Sequence, residues 1–350
     1  MPLASPRLLA IATAVPSHVL GQEEVAQRAR YLFERNGGTD VERLMPVFAN
    51  AGIARRYSCV PIEWYAEPHG WTERNRLYLD HAGHLLEKAA RDCLDQAGFA
   101  PSEIDAIVTV STTGIATPSL DAVLSGRLGL RDDVRRLPIF GLGCAGGVLG
   151  LARAADWARA MPGAKILYLV VELCALSFRK NDTGKSNIVA TALFGDGAAA
   201  ALLSTEGDGP AFGASGEHLF PESLEVMGWD VQEDGLKAIF SRDIPALVRR
   251  EMRDVSSAFL ARNGLALGDI DRFVCHPGGV KVLAALEEAF GIDTDALAVE
   301  RDVLRGYGNM SAATLLFVLD RVMKEKTKGR MLLAAMGPGF TVGFQLLQTA

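Results

Sequence analysis

Two short stretches of this 350-residue chain repeat one another at a fixed distance, and that repeat limits the fold more than any other feature. Gly141-Leu142-Gly143-Cys144 reads G-x-G-C, and Gly306-Tyr307-Gly308-Asn309 reads G-x-G-N, 165 positions later (309 minus 144). A second pair keeps nearly the same offset. Ile104-Asp105-Ala106-Ile107-Val108 follows Ala97-Gly98 and precedes Ser111-Thr112-Thr113-Gly114. Ile270-Asp271-Arg272-Phe273-Val274 follows Asn263-Gly264 and precedes Cys275-His276-Pro277-Gly278-Gly279, an offset of 166 (270 minus 104). Matching segments in matching order imply a duplicated half-domain. The differences between the copies then carry the chemistry: a Cys in one, a His and an Asn in the other, a set suited to thiol-dependent acyl transfer.

The break between copies falls near Glu206-Gly207-Asp208-Gly209-Pro210. An N-terminal half over 1–205 then holds the Cys, and a C-terminal half over 206–350 holds the His and Asn. Each half closes with a glycine turn into an apolar strand, Gly195-Asp196-Gly197-Ala198 and Gly337-Pro338-Gly339-Phe340. Apolar runs predict strands over 8–14, 104–110, 137–140, 164–172 and 198–203, then near 211–212 and over 272–275, 330–335 and 341–347. Helical spacing predicts helices over 22–33, 80–97, 120–128, 146–161, 244–263, 280–290 and 311–325. The alternation reads as an α/β protein with mostly parallel, doubly covered sheets, packed as one unit.

Composition removes whole classes of function. Net charge is −6, and no basic run exceeds Arg135-Arg136 or Arg249-Arg250, so no nucleic-acid partner is expected. Five cysteines (59, 93, 144, 174 and 275) without a C-x-x-C pair argue against a disulfide framework or a zinc site, and for a reducing cytoplasm. The first residues lack the apolar segment of a signal peptide. The longest apolar run, 164–171 with Lys165 in it, is too short for a membrane span. No Walker motif or H-x-x-x-H pair is present, and the expected cofactor and metal are none.

Cys144 lies between a strand and a helix in Gly143-Cys144-Ala145-Gly146-Gly147. That placement aims backbone N–H groups and a helix dipole at the sulfur, and predicts a lowered thiol pKa. The competing reading, a small buried hydrophobe, is retained for the other cysteines. His276, at a strand end, can pair with a thiolate or donate to a thioester carbonyl; otherwise it is a turn histidine. Asn309 alone would be an ordinary turn residue, and only its place opposite Cys144 in the repeat makes it an amide donor for an oxyanion. An amide and an imidazole near a thiol suit decarboxylation of a malonyl thioester, whose carbanion attacks an acyl group on the sulfur.

At these residues the chain resembles the type III polyketide synthases, the chalcone and stilbene synthase superfamily of the thiolase-like fold. The resemblance covers essentially the whole chain and rests on Gly143-Cys144-Ala145-Gly146-Gly147, Leu193-Phe194-Gly195-Asp196-Gly197-Ala198-Ala199-Ala200, His276-Pro277-Gly278-Gly279, Tyr307-Gly308-Asn309-Met310-Ser311 and Gly337-Pro338-Gly339-Phe340. It implies duplicated βα half-domains in a layered αβαβα architecture. It also implies a homodimer, with free acyl-CoA and malonyl-CoA as substrates. Cys144 would carry the acyl chain, His276 and Asn309 would hold the malonyl thioester carbonyl, and Phe194 would be a gatekeeper between CoA tunnel and cavity.

The family's second gatekeeper, often Phe, falls on Ala238, whose methyl is expected to open space. Thr117 stands where plant members place a Met reaching across the dimer, Cys174 and Ser177 stand at Thr positions, and Trp229 replaces a Gly. With Thr112 and Ser311 these residues would bind substrate. Small side chains here resemble bacterial members that take long fatty acyl starters and make alkylpyrones or alkylresorcinols. Of the residues that greet CoA, Arg43 lies in the expected region with Arg55 and Arg56 nearby, whereas Pro46 and Asn50 fill two other places.

A ketoacyl synthase III-like enzyme shares Cys, His and Asn but stops after one condensation, and the Gly337–Phe340 ending favours the polyketide reading. Thiolase would need a second Cys after Cys275, which is absent. Hydroxymethylglutaryl-CoA synthase would need an acidic partner that nothing in the sequence singles out. A catalytically silent partner of this fold would have lost Cys144.

Overall fold

The structure is a computed structural model that describes residues 4–35, 41–241 and 243–349. One sheet dominates it. Its strands are β1 (Arg7–Ala14), β2 (Ala106–Val110), β3 (Arg135–Ile139), β4 (Ile166–Leu173), β5 (Asp196–Ser204), β6 (Ala211–Leu219), β7 (Arg272–Cys275), β8 (Gly329–Gly337) and β9 (Thr341–Thr349). They lie in the order β7-β8-β9-β6-β1-β5-β4-β2-β3. The order β1-β5-β4-β2 is matched by β6-β9-β8-β7, as a duplicated chain requires, and β3 has no counterpart. The two series meet where β1 pairs with β6 at Arg7 and Ala211.

The sheet is mixed, which corrects the expectation of mostly parallel pairing. β2 runs parallel to β3 and β4, and β7 parallel to β8, while β1–β5, β4–β5, β8–β9, β6–β9 and β1–β6 are antiparallel. For β8 and β9 the cause is connection length. Only Pro338, Gly339 and Phe340 separate β8 from β9, and so short a turn can return the chain only antiparallel.

The helices are α1 (Gln22–Arg35), α2 (Trp71–Ala97), α3 (Leu120–Leu128), α4 (Gly146–Ala160), α5 (Lys185–Leu193), α6 (Ile244–Arg262), α7 (Val280–Phe290), α8 (Ala298–Tyr307) and α9 (Ala312–Lys324). Strand alternation sorts the core into layers. Leu167, Leu169 and Val171 of β4 face α2, whereas Ile166, Tyr168 and Val170 face α4 and α9. In the second series Met331, Leu333 and Ala335 join that same central layer, while Leu332, Ala334 and Met336 pack with α6 and α7. The result is the expected αβαβα layering.

The two central helices approach closely because Gly147 has no side chain: a Cβ there would stand 2.4 Å from the Ala312 carbonyl oxygen. That contact brings the N-termini of α4 and α9, and hence Cys144 and Asn309, into one neighbourhood. Several elements escaped the sequence reading: α5, α8, the short helices Val41–Leu44 and Pro46–Asn50, a strand pair of His18–Gly21 with Arg55–Ser58, and a hairpin of Met227–Gln232 with Gly235–Phe240, outside the main sheet and bearing Trp229, Ala238 and Phe240.

Candidate active site

Cys144 sits in a tight turn, Gly143–Ala145, that runs directly into α4. Two glycines fix its place. Gly143 has φ +45°, and a Cβ on it would lie 2.4 Å from Pro338 Cδ; a Cβ on Gly337 would lie 2.3 Å from the Leu142 carbonyl oxygen. The cysteine turn and the β8–β9 turn, far apart in sequence, therefore form one packing unit. From beneath, the Gly143 N–H donates to the Thr112 hydroxyl at 3.1 Å.

His276 follows β7, and its backbone N–H donates to the Ala334 carbonyl at 2.9 Å. The side chain is 5% exposed, and among the described residues neither ring nitrogen has a hydrogen-bond partner. Asn309 is held from both sides. Its backbone N–H donates to the Leu193 carbonyl at 2.8 Å, and its carbonyl accepts the Gly195 N–H at 3.0 Å. Its side-chain Oδ1 accepts the Ser311 N–H at 2.8 Å, leaving Nδ2 as the donor toward the Gly278 carbonyl at 3.4 Å. Cys144, His276 and Asn309 all line one cavity of about 620 Å³.

The electrostatics correct one expectation. Burial pushes the Cys144 thiol up to about 12, against the lowering effect of the Ser311 hydroxyl, and the nearby Glu172 adds to the rise. Burial likewise holds His276 down to about 4. The pair is a neutral thiol and a neutral imidazole, because desolvation outweighs the helix terminus. The thiol itself donates to Ser311 Oγ at 3.5 Å, and Ser311 adopts φ +47° to start α9.

Glu172 is the functional candidate that the sequence reading missed. It is the penultimate residue of β4 and fully buried, and its Oε2 accepts the Thr112 N–H at 3.0 Å and the Thr113 hydroxyl at 2.8 Å. Burial pushes it up to about 8, while hydrogen bonds from Thr112, Thr113, Ser311 and Ser111 pull the other way. A lone Glu near the end of an otherwise apolar strand was the available signal.

The expected cavity residues divide into groups. Phe194, Cys174 and Ser177 line an inner, apolar cavity walled also by Val25, Ala29 and Leu32 of α1. Trp229 and Phe240 pack on the cluster of Cys174, Ala190, Phe194 and Ala238. Ala238 does not open space as expected: it is buried, and its cross-strand partner is Trp229. Thr112 and Ser311 act from behind the thiol. Thr117 is exposed and lines none of these cavities.

At the mouth, Arg43 and Asn50 line the Cys144 cavity, joined by Lys185 and Lys281 from the first turns of α5 and α7. Arg56 points elsewhere. It is 2% exposed and donates to the carbonyls of Thr191, Ala192 and Phe194, tying down the end of α5. Among the described residues no group of three or more His, Cys, Asp or Glu is placed to hold a metal ion, and no helix is long and apolar enough to cross a membrane.

Comparison with known proteins agrees over the full length. The family models for the N-terminal and C-terminal domains of chalcone and stilbene synthases match residues 4–207 and 212–349. The 1,3,6,8-tetrahydroxynaphthalene synthase of Streptomyces peucetius subsp. caesius is 38% identical over 97% of this chain and 92% of its own length. The alpha-pyrone synthesis polyketide synthase-like Pks18 of Mycobacterium tuberculosis (strain ATCC 25618 / H37Rv) is 28% identical over 98% and 92%. Among solved structures, the 1,3,6,8-tetrahydroxynaphthalene synthase of Streptomyces coelicolor A3(2), a bacterial type III polyketide synthase, superimposes with a TM-score of 0.93 at 30% identity, over 98% of this chain and all of that one. Motifs, layered fold and relatives agree: the chain belongs to the chalcone and stilbene synthase family and is a type III polyketide synthase.

Proposed function

We propose that this synthase loads an acyl group from acyl-CoA onto Cys144 and extends it by repeated decarboxylative condensation with malonyl-CoA. The observation that carries the reading is the convergence of Cys144, His276 and Asn309 on one cavity whose rim bears Arg43, Lys185 and Lys281. Loading exchanges one thioester for another. The Cys144 sulfur bonds to the acyl carbon as its proton passes to His276, the bond to CoA sulfur breaks, and CoA leaves with that proton.

In extension, the bond from the malonyl methylene to its carboxylate breaks, CO2 leaves, and the electron pair becomes an enolate. The Asn309 amide and the His276 N–H hold its oxygen. Both donors are weak acids, so they stabilise the enolate without protonating it. Its carbon then attacks the acyl carbon on Cys144, and the thiolate departs. Every electron comes from the substrates, so no metal or redox cofactor is needed. The cationic rim suits the phosphates of CoA.

For the starter we propose a long fatty acyl chain, with cyclisation to an alkylpyrone or alkylresorcinol. The resemblance to Pks18 supports it; the inner cavity is apolar but only about 50 Å³, so it would have to widen to take such a chain. A second reading, a short starter and an aromatic product, is favoured by the higher identity to the S. peucetius tetrahydroxynaphthalene synthase. Incubation with malonyl-CoA and acyl-CoAs of graded length, with products read by mass spectrometry, separates the two by the starter that is incorporated. We further propose a homodimer. β3 is an edge strand, and Ile115 and Phe140 are 50% and 59% exposed near it.

A further inference from the structure

β7, whose end carries His276, is an edge strand of the main sheet. In the first half the matching strand, β2, is covered on that flank by β3, which pairs Thr109 with Pro138 and Val110 with Ile139. The 165-residue offset makes Glu300 the counterpart of Arg135 (300 minus 165), the first residue of β3. The stretch that forms a strand in one copy therefore forms α8 in the other. A helix spends its backbone hydrogen bonds on itself, so it offers a neighbouring strand edge only its side chains.

One of those side chains takes the place of the strand. Glu300 is fully buried, and its Oε1 accepts the Cys275 N–H at 3.1 Å. The next N–H, that of His276, points the other way and donates to the Ala334 carbonyl of β8 at 2.9 Å. The backbone at His276 is thus gripped from both flanks. Glu300 is itself fixed by Arg272, whose guanidinium donates to its Oε2 at 2.7 Å and to the Ala296 carbonyl at 2.9 Å. Beside it, Arg301 donates to both carboxylate oxygens of Glu287, tying α8 to α7 at 2.6 Å each. α8 so joins the strand before His276 to the helix after it, and its far end delivers Asn309. Among the described residues nothing hydrogen-bonds the His276 ring, so its backbone decides where the imidazole stands.

We infer that Glu300, held by Arg272, is a positioning residue: by capturing the Cys275 N–H it fixes His276 relative to Asn309, so that both donors meet one enolate oxygen. The Cys144 cavity is lined by His276 and Asn309 but not by Glu300, which acts through the backbone that it holds. This inference rests on the donor roles proposed above for those two residues.

The test removes the acceptor without stranding a buried charge. Arg272→Met/Glu300→Gln keeps an oxygen for the Cys275 N–H, and Arg272→Met/Glu300→Met, of similar length, lacks one. Both are confirmed folded by circular dichroism and assayed for decarboxylation of malonyl-CoA. The Gln variant stays within about threefold of wild type, because its acceptor is kept. In the Met variant kcat falls about tenfold or more while KM stays within about twofold, the pattern of a displaced catalytic group. On a His276→Ala background the same Gln-to-Met change costs less than about twofold, since nothing is left to position. Equal kcat in the two variants, a loss confined to KM, or an equal loss without His276 overturns the inference. Glu300→Gln alone leaves Arg272 and the Cys275 N–H competing for one oxygen. Should the Met variant fail to fold, adding Arg272→Met to Glu300→Gln must raise kcat, and no rise overturns the inference. A wild type that does not decarboxylate malonyl-CoA, or a His276→Ala protein as fast as wild type, overturns the donor roles themselves and the inference with them.

Discussion

The backbone N–H of Ser311 donates to the side-chain oxygen of Asn309 at 2.8 Å, and this one bond decides which end of the amide serves as a donor. With Oδ1 occupied, Nδ2 is the atom left to meet an enolate oxygen. Asn309→Asp keeps the acceptor for Ser311 and removes the donor. Decarboxylation of malonyl-CoA, followed by chromatography of the CoA products, should then fall about 10²- to 10³-fold, the loss seen when one oxyanion donor is removed. The far-ultraviolet circular dichroism should stay native. Decarboxylation at the wild-type rate would show that Asn309 does not hold the enolate.

Glu172 makes stability depend on pH. Its carboxyl is buried and pushed up to about 8 from an ordinary 4.5, so the folded state keeps a proton that the unfolded chain releases. Its contribution is therefore complete below about pH 4.5 and is lost as pH rises through 8, on the order of 5 kcal/mol in total. Glu172→Gln does not titrate. Its melting temperature relative to wild type should rise between pH 5 and pH 9, and a gap that stays constant or shrinks would show that Glu172 is not held protonated.

The two lysines at the mouth predict a division between binding and chemistry. Lys185→Ala and Lys281→Ala should each raise KM for malonyl-CoA about 2- to 5-fold, the range of an exposed ion pair, with kcat little changed. Added salt should weaken wild type more than the double variant. Equal salt dependence would place the CoA phosphates elsewhere.

Gly143 predicts a stability effect with a built-in control. Gly143→Ala meets both a positive φ and the Pro338 ring, whereas Gly98→Ala at φ +73° meets open space. Urea unfolding should show Gly143→Ala to be the more damaging, by about 1–3 kcal/mol beyond the backbone strain common to both. Equal costs would mean that the Pro338 contact yields freely.

Much of this site is legible in the sequence because the chain is duplicated. The 165-residue offset pairs Cys144 with Asn309, and the structure sets them at the starts of the two helices that touch through Gly147. Strand direction was not legible: apolar runs such as β5 look alike whether parallel or antiparallel, and only the short β8–β9 turn reveals the pairing. The thiol's environment was misjudged because burial, a property of the whole fold, outweighs a local helix terminus. Ala238 was misread for a related reason. Its vacancy is filled by Trp229, whose position across the ladder depends on a hairpin register that single residues do not disclose.

The central claim is that Cys144 carries a growing chain extended by malonyl-CoA. The most direct measurement is intact-protein and product mass spectrometry of wild type and Cys144→Ala, incubated with malonyl-CoA and acyl-CoAs from short to long. The account predicts an acyl adduct on Cys144 of wild type, products enlarged by two or more decarboxylated malonyl units, and neither in the variant. Enlarged products from Cys144→Ala, or a wild type that stops after a single condensation, would contradict it.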